Sequence, residues 1–167
     1  GDQISSEVSV QGAGSSVNLD DQIMIITELG GGGGGSSSTP QFCNVRGLSS
    51  TQQIPHYTTT NINFDGNLAV GSQNWRTYNS DLGVNVIEPG EPGYYNINAG
   101  VAVSDDNNIS QALLDLVSLE LKIVKYNKTA GTSGIIAADT SLKGDNYHWG
   151  VHSNVYSTNV YLEADEV

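Results

Sequence analysis

The stretch that decides the fold is PGYYNINAGVAV, residues 92–103. Pro92 fixes its φ angle and Gly93 is free to adopt positive φ, so the pair predicts a turn. Behind the turn, apolar and polar residues alternate, and this period of two predicts a half-buried β-strand. One face of that strand carries Tyr95, Ile97, Ala99, Val101 and Val103. An apolar face of this length needs a second layer to cover it.

Short predicted strands separated by turn residues fill the rest of residues 41–167. They lie within residues 41–48, 54–64, 68–70, 75–78, 84–87, 119–126, 135–137, 147–152 and 155–162. Turn sequences such as Asp65-Gly66-Asn67 stand between them. Residues 109–116 are rich in leucine and predict a helical turn. Many short strands with frequent turns predict an all-β sandwich or jelly roll.

The first 29 residues form a β-rich segment. Residues 22–29, QIMIITEL, are a short β-branched run that predicts a strand. Left unpaired, such a strand would be an exposed edge that is prone to aggregation, so we expect it to pair with another strand. Two alternatives stay open. It is a strand of this chain's own domain, or it is an anchor that pairs with neighbouring copies or with a larger scaffold.

A glycine-rich stretch separates this segment from the rest. Residues 30–35 are all glycine, and Ser36-Ser37-Ser38-Thr39-Pro40 follows them. This composition predicts a flexible linker, and the absence of a following Lys-Ser/Thr argues against a phosphate-binding loop. The predicted organisation is an anchor or assembly segment at 1–29, a linker at 30–40 and a head domain at 41–167.

Composition and charge exclude several classes of partner. Charged residues make up 14% of the chain, against about 25% in a typical soluble domain. The formal net charge is −12, which argues against binding a nucleic-acid backbone or an anionic lipid surface. No apolar run approaches the roughly 18 residues of a membrane span. Cys43 stands alone, so no intrachain disulfide can form, and we predict it to be buried on a strand.

Five segments, in their order and spacing, resemble the strands of one known family. They are Phe42–Arg46, Thr60–Asp65, Glu91–Ile97, Leu119–Asn127 and Val155–Val167. They resemble the opening strand, the second strand, the Pro-Gly-x-Tyr-x-Phe entry to the central strand and two later strands of the complement component 1q globular-head family. That family belongs to the tumour-necrosis-factor-like superfamily. The resemblance covers residues 41–167.

The resemblance implies a jelly roll that forms tight trimers around a three-fold axis. Heads of this kind also occur on virions as fibres, spikes and decoration proteins. There are two departures from the family pattern. Ala164 stands where the family usually has glycine, and the family adds one further strand after the position of Val167. Either the sequence is truncated there, or another segment, such as residues 23–29, fills the place of that strand.

Two groups of residues are candidate metal sites. Asp105, Asp106 and Asn107 offer oxygen ligands of the kind that calcium takes, but the Asp-x-Asp-x-Asp-Gly spacing is absent, so a polar loop in which such side chains cap turns is the favoured interpretation. His148 and His152 are four residues apart. In a strand this spacing separates them by about 13 Å, too far to share one ion within a chain. Surface or interface histidines are the favoured interpretation, and calcium is the only candidate cofactor.

The aromatic residues are candidates for packing and for binding. We predict core or trimer packing for Tyr95, Ile97, Val101, Leu121 and Tyr161, and ligand contacts for His148, Trp149 and His152. The other aromatic candidates are Trp75, Tyr78, Tyr94, Tyr147 and Tyr156. Exposed members of this set could stack on sugar rings or anchor a protein partner.

The sequence predicts a structural or binding protein. It contains no Gly-x-Ser-x-Gly, no His-Glu-x-x-His and no phosphate loop, so we predict no enzyme activity. We predict a virion surface protein: a homotrimeric head for host-surface adhesion or particle decoration, held to a capsid or scaffold protein through residues 1–29. Its ligand would be a host surface glycan or protein. The alternatives are a capsid cement protein that binds only its own particle, and a secreted complement-like or lectin-like module.

Overall fold

The computed structural model describes residues 1–12, 16–30, 39–104, 116–142 and 151–163. The described residues form strands joined by turns, which confirms the predicted all-β class. The twelve strands are β1 (Asp2–Gly12), β2 (Ser16–Glu28), β3 (Phe42–Arg46), β4 (Gln52–Pro55), β5 (Thr59–Asn61), β6 (Asn67–Leu68), β7 (Arg76–Asn79), β8 (Val84–Ile87), β9 (Gly93–Ser104), β10 (Leu116–Asn127), β11 (Thr132–Leu142) and β12 (Val151–Leu162). The predicted helical turn lies outside the described residues except for Leu116, which begins β10.

Two antiparallel sheets face each other. Sheet A has the order β11-β10-β1-β8-β7, with β5 also paired to β1. Sheet B has the order β12-β9-β2-β3-β6, with β4 also paired to β2. The predicted central strand is β9, which lies between β2 and β12. The fold of the described residues is therefore a β-sandwich.

The first two strands lie inside this sandwich. β1 pairs with β10 along its whole length, and β2 pairs with β9 from Asn18 to Glu28 and with β3 from Ile23 to Thr27. This pairing agrees with the alternative in which the N-terminal strands belong to the chain's own domain. It does not agree with a separate anchor at residues 1–29, because removing β1 and β2 would take the middle strand out of each sheet. Most of the predicted linker, residues 31–38, lies outside the described residues.

The apolar core fills the space between the sheets. On β9 the predicted inward residues, from Tyr95 to Val103, are all buried, and their neighbours on the other face are more exposed except Gly100. On β10 the predicted inward residues Leu119, Leu121 and Ile123 are fully buried. Cys43 is fully buried on β3, as predicted.

A β-bulge keeps β2 in register with its neighbours. Val17 and Leu19 are buried at odd-numbered positions, whereas Gln22, Met24 and Ile26 are buried at even-numbered ones. The pairing with β9 shifts between Leu19 and Asp21. The extra residue is Asp20, which is exposed and does not face the core. Such a bulge changes which alternate residues face the core without ending the strand.

Candidate functional site

The predicted metal and ligand residues fall mostly outside the described part of the chain. This applies to Asp105, Asp106, Asn107, His148 and Trp149. The backbone of His152 lies in β12 and pairs with Ala102 of β9. Within the described residues there is no group of three or more His, Cys, Asp or Glu side chains that could hold a metal ion.

The residues predicted for packing separate into two sets. Tyr95, Ile97, Val101 and Leu121 are buried in the core, whereas Tyr161 is 44% exposed. The Tyr95 hydroxyl donates to the backbone oxygen of Glu91 at 2.6 Å. Burial, together with the nearby Glu28 and Glu91 carboxylates, raises the pKa of Tyr95 to about 12. Tyr95 therefore stays neutral and acts as a packing residue that also fixes the loop before β9.

The outward side of sheet B is a continuous surface that we call the sheet B face. Cα partners in antiparallel strands place their side chains on the same side, so the strand register defines this surface. Its members are Asp21, Ile23, Ile25, Thr27, Phe42, Asn44, Arg46, Tyr94, Asn96, Asn98, Tyr156 and Tyr161. Two of them, Asp21 and Arg46, carry a charge, and both lie near the Ile23 end of the face. One row, Asn44-Ile25-Asn98-Tyr156, crosses four adjacent strands.

Tyrosines line the β12 side of the sheet B face. Tyr94 and Tyr161 are cross-strand partners, and their rings meet edge to face with centroids 5.2 Å apart. Tyr94 is 47% exposed and Tyr156 is 56% exposed. Aromatic rings of this exposure offer large contact areas at low cost in conformational entropy.

The outward side of sheet A has a different chemical character. Glu7 of β1 lies directly opposite Lys122 of β10, and the Lys122 ammonium is 2.7 Å from the Glu120 carboxylate. Further along, the Tyr126 hydroxyl donates to Asp81 at 2.6 Å. That hydrogen bond, with burial, raises the pKa of Tyr126. Sheet A therefore presents charges and a covering loop, whereas the sheet B face is mostly neutral.

A groove lies at the edge of sheet A, where β7 begins and β8 ends. We call it the Trp75 groove. It has a volume of about 460 Å³ and is lined by Asn74, Trp75, Arg76, Thr77, Glu88, Pro89, Gly90 and Lys128. A backbone hydrogen bond of 2.8 Å from Glu88 N to Trp75 O joins its two sides. The groove combines an aromatic ring with two cations and one carboxylate.

A second cleft, of about 400 Å³, lies where β11 approaches β2, β9 and β12. The Ser153 hydroxyl donates to Asp139 across it at 3.2 Å. Val101 and Ser153 at its base are both only 5% exposed. The cleft is acidic and without a described basic group, and Asp139 already has a partner there.

Cys43 has no nucleophilic role in this arrangement. Burial raises the pKa of its thiol, and this effect outweighs the influence of the Trp75 backbone and the Arg76 charge. A thiol that is fully buried and remains protonated is inert toward substrates.

Comparison with known proteins adds no family. No family model, no curated protein and no solved structure matches this chain. Within the described residues, no helix has the length and apolar character that a membrane crossing requires. The resemblance to complement component 1q heads thus remains a prediction that rests on the five sequence segments.

Sequence reasoning missed both surfaces, although a signal for each is present. Ile23 and Ile25 alternate with the buried Met24 and Ile26, so β2 is apolar on both faces. A strand that is apolar on both faces is typical of one that is covered on both sides. The groove brings together residues 74–77, 88–90 and 128, and only the pairing of β7 with β8 and the position of β10 make them neighbours.

Proposed function

We propose that this protein is a structural and adhesive module of a particle surface, built as a jelly-roll sandwich whose copies assemble into a trimer through the sheet B face. The particle is a virion in this proposal, and the module decorates it or attaches it to a host surface. The low content of charged residues and the resemblance to trimeric heads support this assignment. Chemistry on a substrate is no part of it.

The observation that carries the proposal is the second apolar side of β2. Met24 and Ile26 are fully buried in the core, while Ile23 and Ile25 point to the other side and are partly exposed. Burying an isoleucine side chain is worth about 1.5–3 kcal/mol, so a partner that covers Ile23 and Ile25 gains a stabilising contact.

We infer that this partner is a second copy of the chain, and the distribution of charge supports the sheet B face as the place where the copies meet. Each copy carries a formal charge of −12, so two copies repel each other unless they meet where no acidic side chains lie. The middle of the sheet B face meets this condition, because the residues of the row Asn44-Ile25-Asn98-Tyr156 are all neutral and Asp21 lies toward one end of the face. The outward side of sheet A does not, since Glu7 and Glu120 lie there.

The test is the mass of the protein in solution. Ile25→Lys places a charge in the middle of the sheet B face and should yield monomers at micromolar concentration, where we expect the unmodified protein to form trimers. Ile135→Lys is the matched control, because Ile135 lies on the edge strand β11 of sheet A and is already 57% exposed. Sedimentation velocity would measure both, with circular dichroism to confirm folding.

Two results would contradict the proposal. An unmodified protein that stays monomeric at micromolar concentration has no assembly face. A trimer that survives Ile25→Lys but is lost in Ile135→Lys assembles through sheet A instead.

A further inference from the structure

In the Trp75 groove, contacts with the core hold the indole ring of Trp75 in place on one side. Trp75 is partly buried against the core and meets the ring of Tyr95 edge to face, with centroids 5.9 Å apart. Its backbone oxygen accepts a hydrogen bond from Glu88 N. A fixed indole that still borders an open groove can stack on a sugar ring at little entropic cost.

Arg76 lines the groove with a positive charge that pairs with no described carboxylate. Within the described residues the ion pairs of the lysines are Lys122 with Glu120, Lys125 with Asp2 and Lys128 with Glu88. None of the described carboxylates forms such a pair with Arg76, whose Nη1 donates to the backbone oxygen of Gly66 at 2.6 Å. In a chain of net charge −12, a cation without an acidic partner beside an aromatic ring indicates an anionic ligand.

The carboxylate in the groove does not cancel this charge. Glu88 Oε1 is 2.8 Å from the Lys128 ammonium, and Oε2 accepts a hydrogen bond of 2.6 Å from Gln3. Both of its oxygens are therefore engaged by partners. With Arg76 and Lys128 against Glu88, the groove carries one net positive charge.

We propose that the Trp75 groove binds an acidic saccharide, a sugar ring that bears a carboxylate or a sulfate. Trp75 stacks on the ring, and the Arg76 guanidinium binds the acidic group, since its planar fork matches carboxylates and sulfates. Asn74 and Thr77 contribute polar groups for the ring hydroxyls. A volume of about 460 Å³ suits one sugar unit and part of the next, and it lies within the usual range of ligand sites.

This proposal rests on the adhesive part of the proposed function and names its ligand class. The groove lies on β7, the edge strand of sheet A, whereas the assembly surface is the outward side of sheet B. Assembly through the sheet B face therefore leaves the groove open. Each trimer would present three grooves, and their joint attachment to a glycan-covered surface would raise the apparent affinity.

The experiment is calorimetric titration of the full chain with three probes: sialyllactose, lactose 3′-sulfate and unmodified lactose. We expect at least one acidic probe to bind about tenfold more tightly than lactose, the gain typical of a charge-assisted contact. Binding of the carboxylated probe alone, the sulfated probe alone or both identifies the acidic group. Equal binding of all three probes, or binding of none, overturns the proposal.

Variants locate the binding in the groove. Arg76→Gln should weaken the acidic probe about tenfold and leave lactose unchanged. Arg76 also donates a hydrogen bond to Gly66, so its replacement can disturb the local structure. Asn74→Asp therefore serves as a second variant. It adds a carboxylate at an exposed position of the groove and should likewise weaken binding of the acidic probe. Arg46→Gln is the control, since Arg46 is an exposed cation elsewhere, on β3.

Loss of affinity in Arg46→Gln equal to that in the groove variants would overturn the assignment. The sedimentation of each sample separates this outcome from failure of the assembly proposal. A trimer that binds no acidic saccharide refutes only the groove, whereas a monomer that binds one refutes only the assembly.

Discussion

Asp2 ties the two sheets together at one end of the sandwich. Its side chain is fully buried, and its carboxylate accepts hydrogen bonds from Lys125 and Asn127 of β10 and from the backbone N of Glu163, each at 3.0 Å. Lys125 and Asn127 belong to sheet A, whereas Glu163 directly follows β12 of sheet B. One carboxylate therefore joins both layers and leaves none of its main hydrogen-bonding directions unused.

The charge of Asp2 makes this contact dependent on pH. Burial by itself would raise the pKa of Asp2, but the hydrogen bond from Glu163 N and the Lys125 ammonium outweigh burial and lower the pKa below its ordinary value of 3.8. A carboxyl whose pKa is lower in the folded state stabilises the fold above its unfolded pKa. That contribution is lost as the pH falls through the folded value.

We predict that Asp2→Asn lowers the free energy of unfolding at pH 7 by about 2 kcal/mol, the value of hydrogen bonds to a charged group. At a pH below the folded pKa of Asp2 the variant and the unmodified protein should differ much less. Urea unfolding at both pH values measures this. Asp20→Asn, at an exposed position, is the control, and an equal loss in that variant at pH 7 would show that Asp2 has no special role.

At the residue scale, the sequence predicts local roles better than partners. Asp65-Gly66-Asn67 is predicted as a turn from its composition, and the structure adds that a Cβ on Gly66 would collide with the backbone oxygens of Arg46 and Gly47. The predicted burial of Cys43 follows from its place in an apolar strand. The partners of Asp2 are 123 to 161 residues away along the chain. No local pattern encodes a contact across that distance.

At the scale of elements, β2 depends on its bulge. Its two halves bury different alternate positions, and Asp20 is the extra residue that allows both halves to face the core. Without it, a shift of one residue would turn one half of the strand inside out.

We predict that deleting Asp20 destabilises the fold strongly. The deletion would move Val17 and Leu19 out of the core, each worth about 1.5–3 kcal/mol. The loss would be a large part of the free energy of unfolding of a typical domain, which is roughly 5–15 kcal/mol. The urea midpoint and the slope of the transition measure it. Asp20→Asn keeps the length of the strand and should leave the midpoint unchanged; an equally small effect of the deletion would mean that the register of β2 is not fixed by the core.

Alternation predicts which side of a strand is buried, but not which sheet the strand joins. The predicted inward residues of β9 and β10 are those that the structure buries. The N-terminal strands are the exception, since the glycine run suggested a boundary that their pairing with β9 and β10 does not respect. Pairing between strands far apart in the chain costs the entropy of closing the loop between them, and this cost grows only slowly with loop length. A long glycine stretch is therefore weak evidence of a domain boundary.

At the scale of the whole molecule, net charge opposes the proposed assembly and burial of apolar surface favours it. A formal charge of −12 keeps separate copies apart in dilute salt, since the Debye length at about 0.01 M is some 30 Å. The row Asn44-Ile25-Asn98-Tyr156 in the middle of the sheet B face offers no ion pairs to overcome this repulsion, because its residues are neutral. In the proposed assembly, its contribution would be burial of apolar and aromatic surface, which added salt does not weaken.

We therefore predict that assembly strengthens with salt. Raising sodium chloride from about 0.01 M to 0.15 M shortens the Debye length to about 8 Å, so repulsion between copies falls while the apolar contact persists. Sedimentation velocity over a range of protein concentrations should show the trimer forming at lower concentration in the higher salt, and Ile25→Lys should remain monomeric in both. Assembly through ion pairs would respond in the opposite direction, because salt screens attraction as well as repulsion. A trimer that dissociates on addition of salt would therefore place the contact on the charged outward side of sheet A, where Glu7 and Lys122 lie opposite each other.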